Sequence, residues 1–150
     1  MTQEEKQLLF KDLCARLPYG VKYCRDSWNY EWDQEMSVVE ILEDIDEYGY
    51  INYHKVYKVW DIKPYLRPVS SMTKEELKEL NDKYGSIAYF FTQESPYYHG
   101  LQVQHSDIGS IEISEFSEIY DWLNAHHFDY RGLIEKGLAL EAPEGMYKND

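Results

Sequence analysis

The stretch Ser37-Val-Val-Glu-Ile-Leu-Glu-Asp-Ile-Asp-Glu-Tyr-Gly49 decides the fold, because it carries two competing periodicities. As a helix, Ser37 and Glu40 would form a capping box and Gly49 would end it. Val38, Leu42 and Ile45 would then share one face. As a strand, Val39, Ile41 and Ile45 fit a period of two, and Val and Ile favour extended backbone. Glu47-Tyr48-Gly49 would then be a hairpin turn into Tyr50–Tyr53. The strand reading is preferred, and it makes the chain a mixed protein rather than a helical bundle.

Outward from this stretch, Val21–Arg25 reads as a strand running toward Tyr30, and Val56–Trp60 as another. Together they predict a small antiparallel sheet, or a partly closed barrel, over about residues 21–60. Before it, residues 2–17 read as a helix. Thr2 and Glu5 fit a capping box, Leu8, Leu9, Leu13 and Leu17 form a stripe, and Pro18-Tyr19-Gly20 is the stop. After it, Pro64 and Pro68 force Tyr65-Leu66-Arg67 into an extended or turn segment. Thr73 and Glu76 form another capping box, opening a helix with Leu77, Leu80 and Tyr84 that stops at Gly85. Ile87–Thr92 is a strand candidate. Residues 94–109 read as a loop, with Leu101–Gln104 able to pair. Phe116, Ile119, Tyr120, Leu123 and His127 give an amphipathic helix from about Ser114. Asp129 caps a predicted short helix through Lys136, stopped by Gly137. The expectation is therefore one α+β domain over residues 1–150, mainly helical in its C-terminal half, with a polar tail from about 143.

Charge is the most lopsided feature of the composition. Twenty-eight acids face fifteen bases, for a net charge of −13. The acids are blocked: residues 31–47 hold eight and no Lys or Arg, and residues 84–130 hold seven, again without a base. Such a chain repels phosphate backbones and anionic lipid, so nucleic acid and membrane are not expected partners. A basic protein surface is. Fifteen Tyr and four Trp against five Phe suit half-buried positions or an aromatic interface. Two cysteines, Cys14 and Cys24, are too few for a disulfide scaffold and are expected to be buried free thiols. With neither a signal-peptide pattern nor an apolar run of membrane length, a cytoplasmic location is expected.

No catalytic motif, phosphate-binding Gly loop or zinc spacing is present, and no cofactor is expected. The densest polar group is Asn124, His126, His127, Asp129, Tyr130 and Arg131. His126 or His127 with Asp129 would make an oriented general base, since a carboxylate fixes the imidazole tautomer. The competing and preferred reading is structural: imidazoles at a helix end satisfy terminal carbonyls. Arg131 is expected to pair with a carboxylate, for example Asp129 or Glu135, or else to be a candidate anion-binding residue. Arg67 is either a presented recognition residue or a solvated or ion-paired side chain. Trp122 and Tyr130 are candidate binding aromatics. The cluster Glu40, Glu43, Asp44, Asp46 and Glu47 lacks the order of a calcium loop and is a candidate acidic binding face, or simply a solvated one. His99 and His105 have no matching ligand spacing.

The segments Leu13-Cys-Ala-Arg-Leu-Pro-Tyr-Gly-Val21, Asp61-Ile-Lys-Pro-Tyr-Leu-Arg-Pro-Val-Ser-Ser-Met-Thr73 and Asp121-Trp-Leu-Asn-Ala-His-His-Phe-Asp-Tyr-Arg-Gly-Leu-Ile-Glu-Lys-Gly-Leu-Ala-Leu-Glu-Ala-Pro-Glu-Gly-Met-Tyr147 carry a resemblance. They resemble a family of short acidic proteins encoded by gut bacteria and by their phages or mobile elements. Residues 25–60 and 86–115 lie outside it. The resemblance supplies no catalytic residues and implies only a phage-linked or mobile-element setting. Three functions follow as expectations. The first is a small acidic interaction or accessory module. The second is a small enzyme using His126, His127 and Asp129. The third is a homo-oligomer held by its tyrosines.

Overall fold

A computed structural model of the chain describes residues 1–52, 56–84 and 113–147. The deciding stretch begins as a strand: β2 (Gln34–Ile41) pairs antiparallel with β1 (Lys22–Asn29), from Lys22 opposite Ile41 to Asn29 opposite Gln34. Residues 30–33 make the turn, with Asp33 at φ 50°, a backbone region that Asp tolerates. The helical alternative fails because Glu40 faces across the hairpin. Its carboxylate accepts from the Tyr23 hydroxyl at 2.5 Å and from Arg25 at 2.7 Å. The period of two holds, but the buried face is the other one. Val39 and Ile41 are each 49% exposed, whereas Leu42 is buried.

The turn expected at Glu47-Tyr48-Gly49 is present. Asp46 Oδ1 accepts from the amides of Tyr48 and Tyr50, both at 2.9 Å. Gly49 sits at φ 86°, where a Cβ would come within 3.3 Å of the Trp60 ring. Beyond the turn the pairing reduces to the single bridges Ile45–Ile51 and Tyr50–Lys58. The expected strand Val56–Trp60 is replaced by a 3₁₀ turn, Val59–Asp61, because Asp61 Oδ2 accepts from the Lys58 amide at 2.9 Å and curls the chain.

β3 (Lys63–Leu66) is the extended Pro-bracketed segment. It pairs antiparallel with β1 and parallel with β4 (Leu140–Glu141). The order β2-β1-β3-β4 is an open mixed sheet, not a barrel, since β2 and the two-residue β4 lie at opposite ends. α1 (Gln3–Arg16) starts at Thr2, whose hydroxyl accepts from the Glu5 amide. It sends Leu9 and Leu13 into a core with Val21, Tyr23, Leu42 and Leu66. α2 (Lys74–Tyr84) and α3 (Ile113–Ala125) share a second core of Leu80, Ile119, Trp122, Leu123 and Phe128.

Two further expectations need correction. The C-terminal part is not mainly helical. After α3, residues 129–137 are turns, because Asp129 ties the amides of Leu133 (2.8 Å) and Ile134 (2.9 Å) in one tight loop. Within the polar tail, the Tyr147 hydroxyl accepts from the Lys22 amide at 2.9 Å and donates to the Tyr65 carbonyl at 2.7 Å. Cys14 is exposed rather than buried, and Cys24 is half-buried. The stop at Gly85, the strand Ile87–Thr92, the loop at 94–109 with Leu101–Gln104, His99 and His105 lie outside the described residues.

Candidate functional site

α3 ends in a Schellman arrangement: the Phe128 amide donates to the Leu123 carbonyl and the His127 amide to that of Asn124. His127 occupies the left-handed position usually given to Gly, at φ 62°. It therefore lies past the helix rather than on its apolar stripe. Its ring is 1% exposed, stacks on Tyr147 at 3.7 Å, and has no partner for either nitrogen. Burial first, and the charges of Arg16, His126, Arg67 and Lys22 after it, push its pKa down to about 3, so the ring is neutral at physiological pH. His126 stacks on Trp122 at 4.0 Å, with Nδ1 2.8 Å from the Trp122 carbonyl. Neither ring is paired with Asp129, whose two oxygens hold the Leu133 and Ile134 amides. The His–Asp base of the alternative reading is thus not assembled. A hollow of about 680 Å³ does adjoin the histidines, walled by Arg67, Thr73, Glu76 and the 141–147 segment.

Of the two readings of Arg67, the structure has the ion-paired one. Its guanidinium forms a two-point pair with Glu76, at 2.7 and 2.6 Å, and lies 4.2 Å from the centre of the Phe128 ring. Glu76 also accepts from the Thr73 amide, completing the predicted capping box with the Thr73 hydroxyl. Burial raises the Glu76 pKa, but Arg67 and Thr73 outweigh it, and the net shift is downward. Arg67 backbone groups bond to His127 and Asp129, stitching β3 to the turn after α3.

Arg131 pairs with neither Asp129 nor Glu135. Its Nε reaches Asp12 at 3.1 Å, across the molecule. Asp12 is fully buried and also binds Arg16 at 2.8 Å, while Arg16 Nη2 donates to the Phe128 carbonyl at 2.6 Å. Arg16 Nη1 is buried without a partner. Tyr130 joins this network, donating to Asn124 at 2.9 Å and accepting from Arg131 at 3.0 Å. Tyr130 and Trp122 are buried, 8% and 7% exposed, so both serve the core and not a binding surface. Asp12 and Arg16 were absent from the candidates, although they sit three residues after Leu9 and Leu13 on the same helical face.

The acidic block divides by use. Glu40 is held by Arg25 and Tyr23, Asp46 caps its turn, and Asp44 is half-buried with its amide on Asn52. Glu43 and Glu47 are exposed. The densest free acidity is earlier: residues 30–35 are all exposed, carrying Glu31, Asp33 and Glu35, with Tyr30 89% and Trp32 63% open. Sequence reasoning passed over this tip. Its signal was Asn29 and Asp33, both turn formers, bracketing aromatics between two strand patterns. Among the described residues no group of three or more His, Cys, Asp or Glu is placed to hold a metal, and no helix is long and apolar enough to cross a membrane. No protein-family model, curated protein or solved structure matches the chain.

Proposed function

We propose that this protein is a small interaction module whose β1–β2 hairpin engages a basic surface on a partner protein. One observation carries the reading: six consecutive exposed residues, Tyr30 to Glu35, hold two aromatic rings and three carboxylates at the tip of a hairpin. Aromatics of this kind anchor interfaces, and carboxylates without nearby bases steer cationic partners. The resemblance to short acidic proteins of gut bacteria and their phages supports only a mobile-element setting; the accessory or inhibitory role, and a place in the cytoplasm, belong to this proposal. The test is affinity capture from lysate of the encoding organism, with the wild type beside Glu31→Lys/Asp33→Lys and Trp32→Ala. A partner held at low salt, released at high salt and lost by both variants is the expected result. Equal capture by the charge-reversed variant defeats the reading.

The hollow beside His127 favours a second reading, a site for a small polar ligand, since a buried imidazole with two unpartnered nitrogens is uncommon. Thermal shift against a small-molecule panel, with His126→Ala as comparison, tests it. No stabilisation by any compound would retire it, along with the enzyme reading. Light scattering giving a monomer mass would retire the homo-oligomer.

A further inference from the structure

Resting on the acidic-hairpin reading, we propose that the outer edge of β2 takes up an extended, Lys/Arg-bearing segment of the partner as an added strand. β2 ends the sheet order, with β1 on one side and no described strand on the other. The Leu42 amide donates to Val21, which sets the phase of the ladder. In an antiparallel pair, residues alternate between facing the neighbour and facing away. Even-numbered residues of β2 therefore bond to β1, and Glu35, Ser37, Val39 and Ile41 turn their amides and carbonyls outward. Asn52 Nδ2 already covers the Ile41 carbonyl at 2.9 Å. Among the described residues, the open edge is Glu35 to Val39.

Proteins ordinarily guard such an edge with Lys, Pro or a bulge. β2 contains neither residue, and its eight pairs with β1 run one-to-one without a bulge. Exposed Val39 and Ile41 stand on the same strand; the shallow groove of about 530 Å³ beside them, lined also by Lys22, Glu40 and Pro143 to Met146, lies on the β1 side and leaves the outer edge uncovered by it. Strand addition draws its affinity from main-chain bonds along such an edge, and alternate side chains of the added strand would lie beside exposed Val39 and Ile41. Charge selects the occupant. A second copy would bring one base-free 31–47 block against another, with eight acids in each. A cationic segment would instead meet Glu31, Asp33 and Glu35.

The probe is a capped, fluorescent eight-residue peptide of alternating Lys and Val, matched to the length of β2. Two relatives accompany it: one N-methylated at alternate residues, and one with Glu in place of Lys. Binding is followed by anisotropy and by the amide resonances of Glu35, Ser37 and Val39. The Lys peptide is expected to bind and to shift those resonances. Affinity should fall about tenfold or more with N-methylation, and likewise in Val39→Pro, which removes an outward N–H that β1 does not use. The methylated peptide leaves the protein unchanged, so the test survives if the proline variant misfolds. Equal binding of the methylated peptide, or no binding of the Lys peptide, overturns strand addition. In the first case salt-sensitive, Glu31/Asp33-dependent binding leaves the acidic hairpin standing. Equal binding of the Glu peptide overturns the cationic assignment. Dimerisation of the protein alone, abolished by Val39→Pro, makes a second copy the occupant and overturns it too.

Discussion

Asp12 is the residue on which most of the interior polarity converges. It holds Arg16 and Arg131, and through them the Phe128 carbonyl and the Tyr130 hydroxyl. Asp12→Ala leaves a guanidinium buried without its counter-charge, and should cost about 3–5 kcal/mol in urea unfolding. A loss below about 1 kcal/mol, typical of an exposed pair, would contradict the burial. His127 makes a second prediction. Unfolded, the ring takes a proton near its ordinary 6.5; folded, it resists until about 3. Its contribution is thus complete above pH 6.5 and declines as pH falls toward 3, by at most about 1.4 kcal/mol per pH unit. His127→Asn tolerates the left-handed backbone, and should flatten the stability profile over that window. Neither role was legible from composition. The stripe around Leu9 and Leu13 speaks through its apolar letters, and beyond their own i,i+4 pair the partners of Asp12 and Arg16, Arg131 and Phe128, lie more than a hundred residues away.

Among the elements, what was local in the chain was readable and what depended on pairing was not. The Thr73–Glu76 cap needs only residues three apart, and both of its bonds form. Thr73→Ala should cost about 1 kcal/mol, and Glu76→Ala more, because it also breaks the two-point pair with Arg67. Guanidinium denaturation compares the two. The turn at Gly49 was equally local. Gly49→Ala should cost about 1–2 kcal/mol for the backbone alone, with added crowding against Trp60; an unchanged midpoint would mean that the turn relaxes. By contrast, the strand phase of 37–41 was right while its buried face was wrong. Which side of β2 meets the core is set by β1 and α1, not by the letters of β2. Asp129 was legible as a cap, but the chain it caps folds into turns rather than a helix.

For the whole molecule, the charge blocks were plain in the sequence, yet their division into structural and free carboxylates was not. Glu40 and Asp46 are spoken for, whereas Glu31, Asp33 and Glu35 stand at an open tip. A net charge of −13 repels itself in the folded state, so raising ionic strength from low to physiological should raise the melting temperature. A fall would mean that the few internal ion pairs outweigh the repulsion. The long-range ties of α1 bear also on the order in which the chain is made. Arg16 and Asp12 find their seats only against Phe128 and Arg131, and Lys22 only beneath Tyr147. During synthesis Leu9 and Leu13 find partners as early as residues 21–66, but the buried charges of Asp12 and Arg16 stay unseated by Phe128 and Arg131 until those residues have left the ribosome. Ribosome-stalled chains cut short before Phe128 should therefore be digested within α1 by a protease that spares chains extended past Tyr147, and nascent-chain proteolysis would read that difference directly.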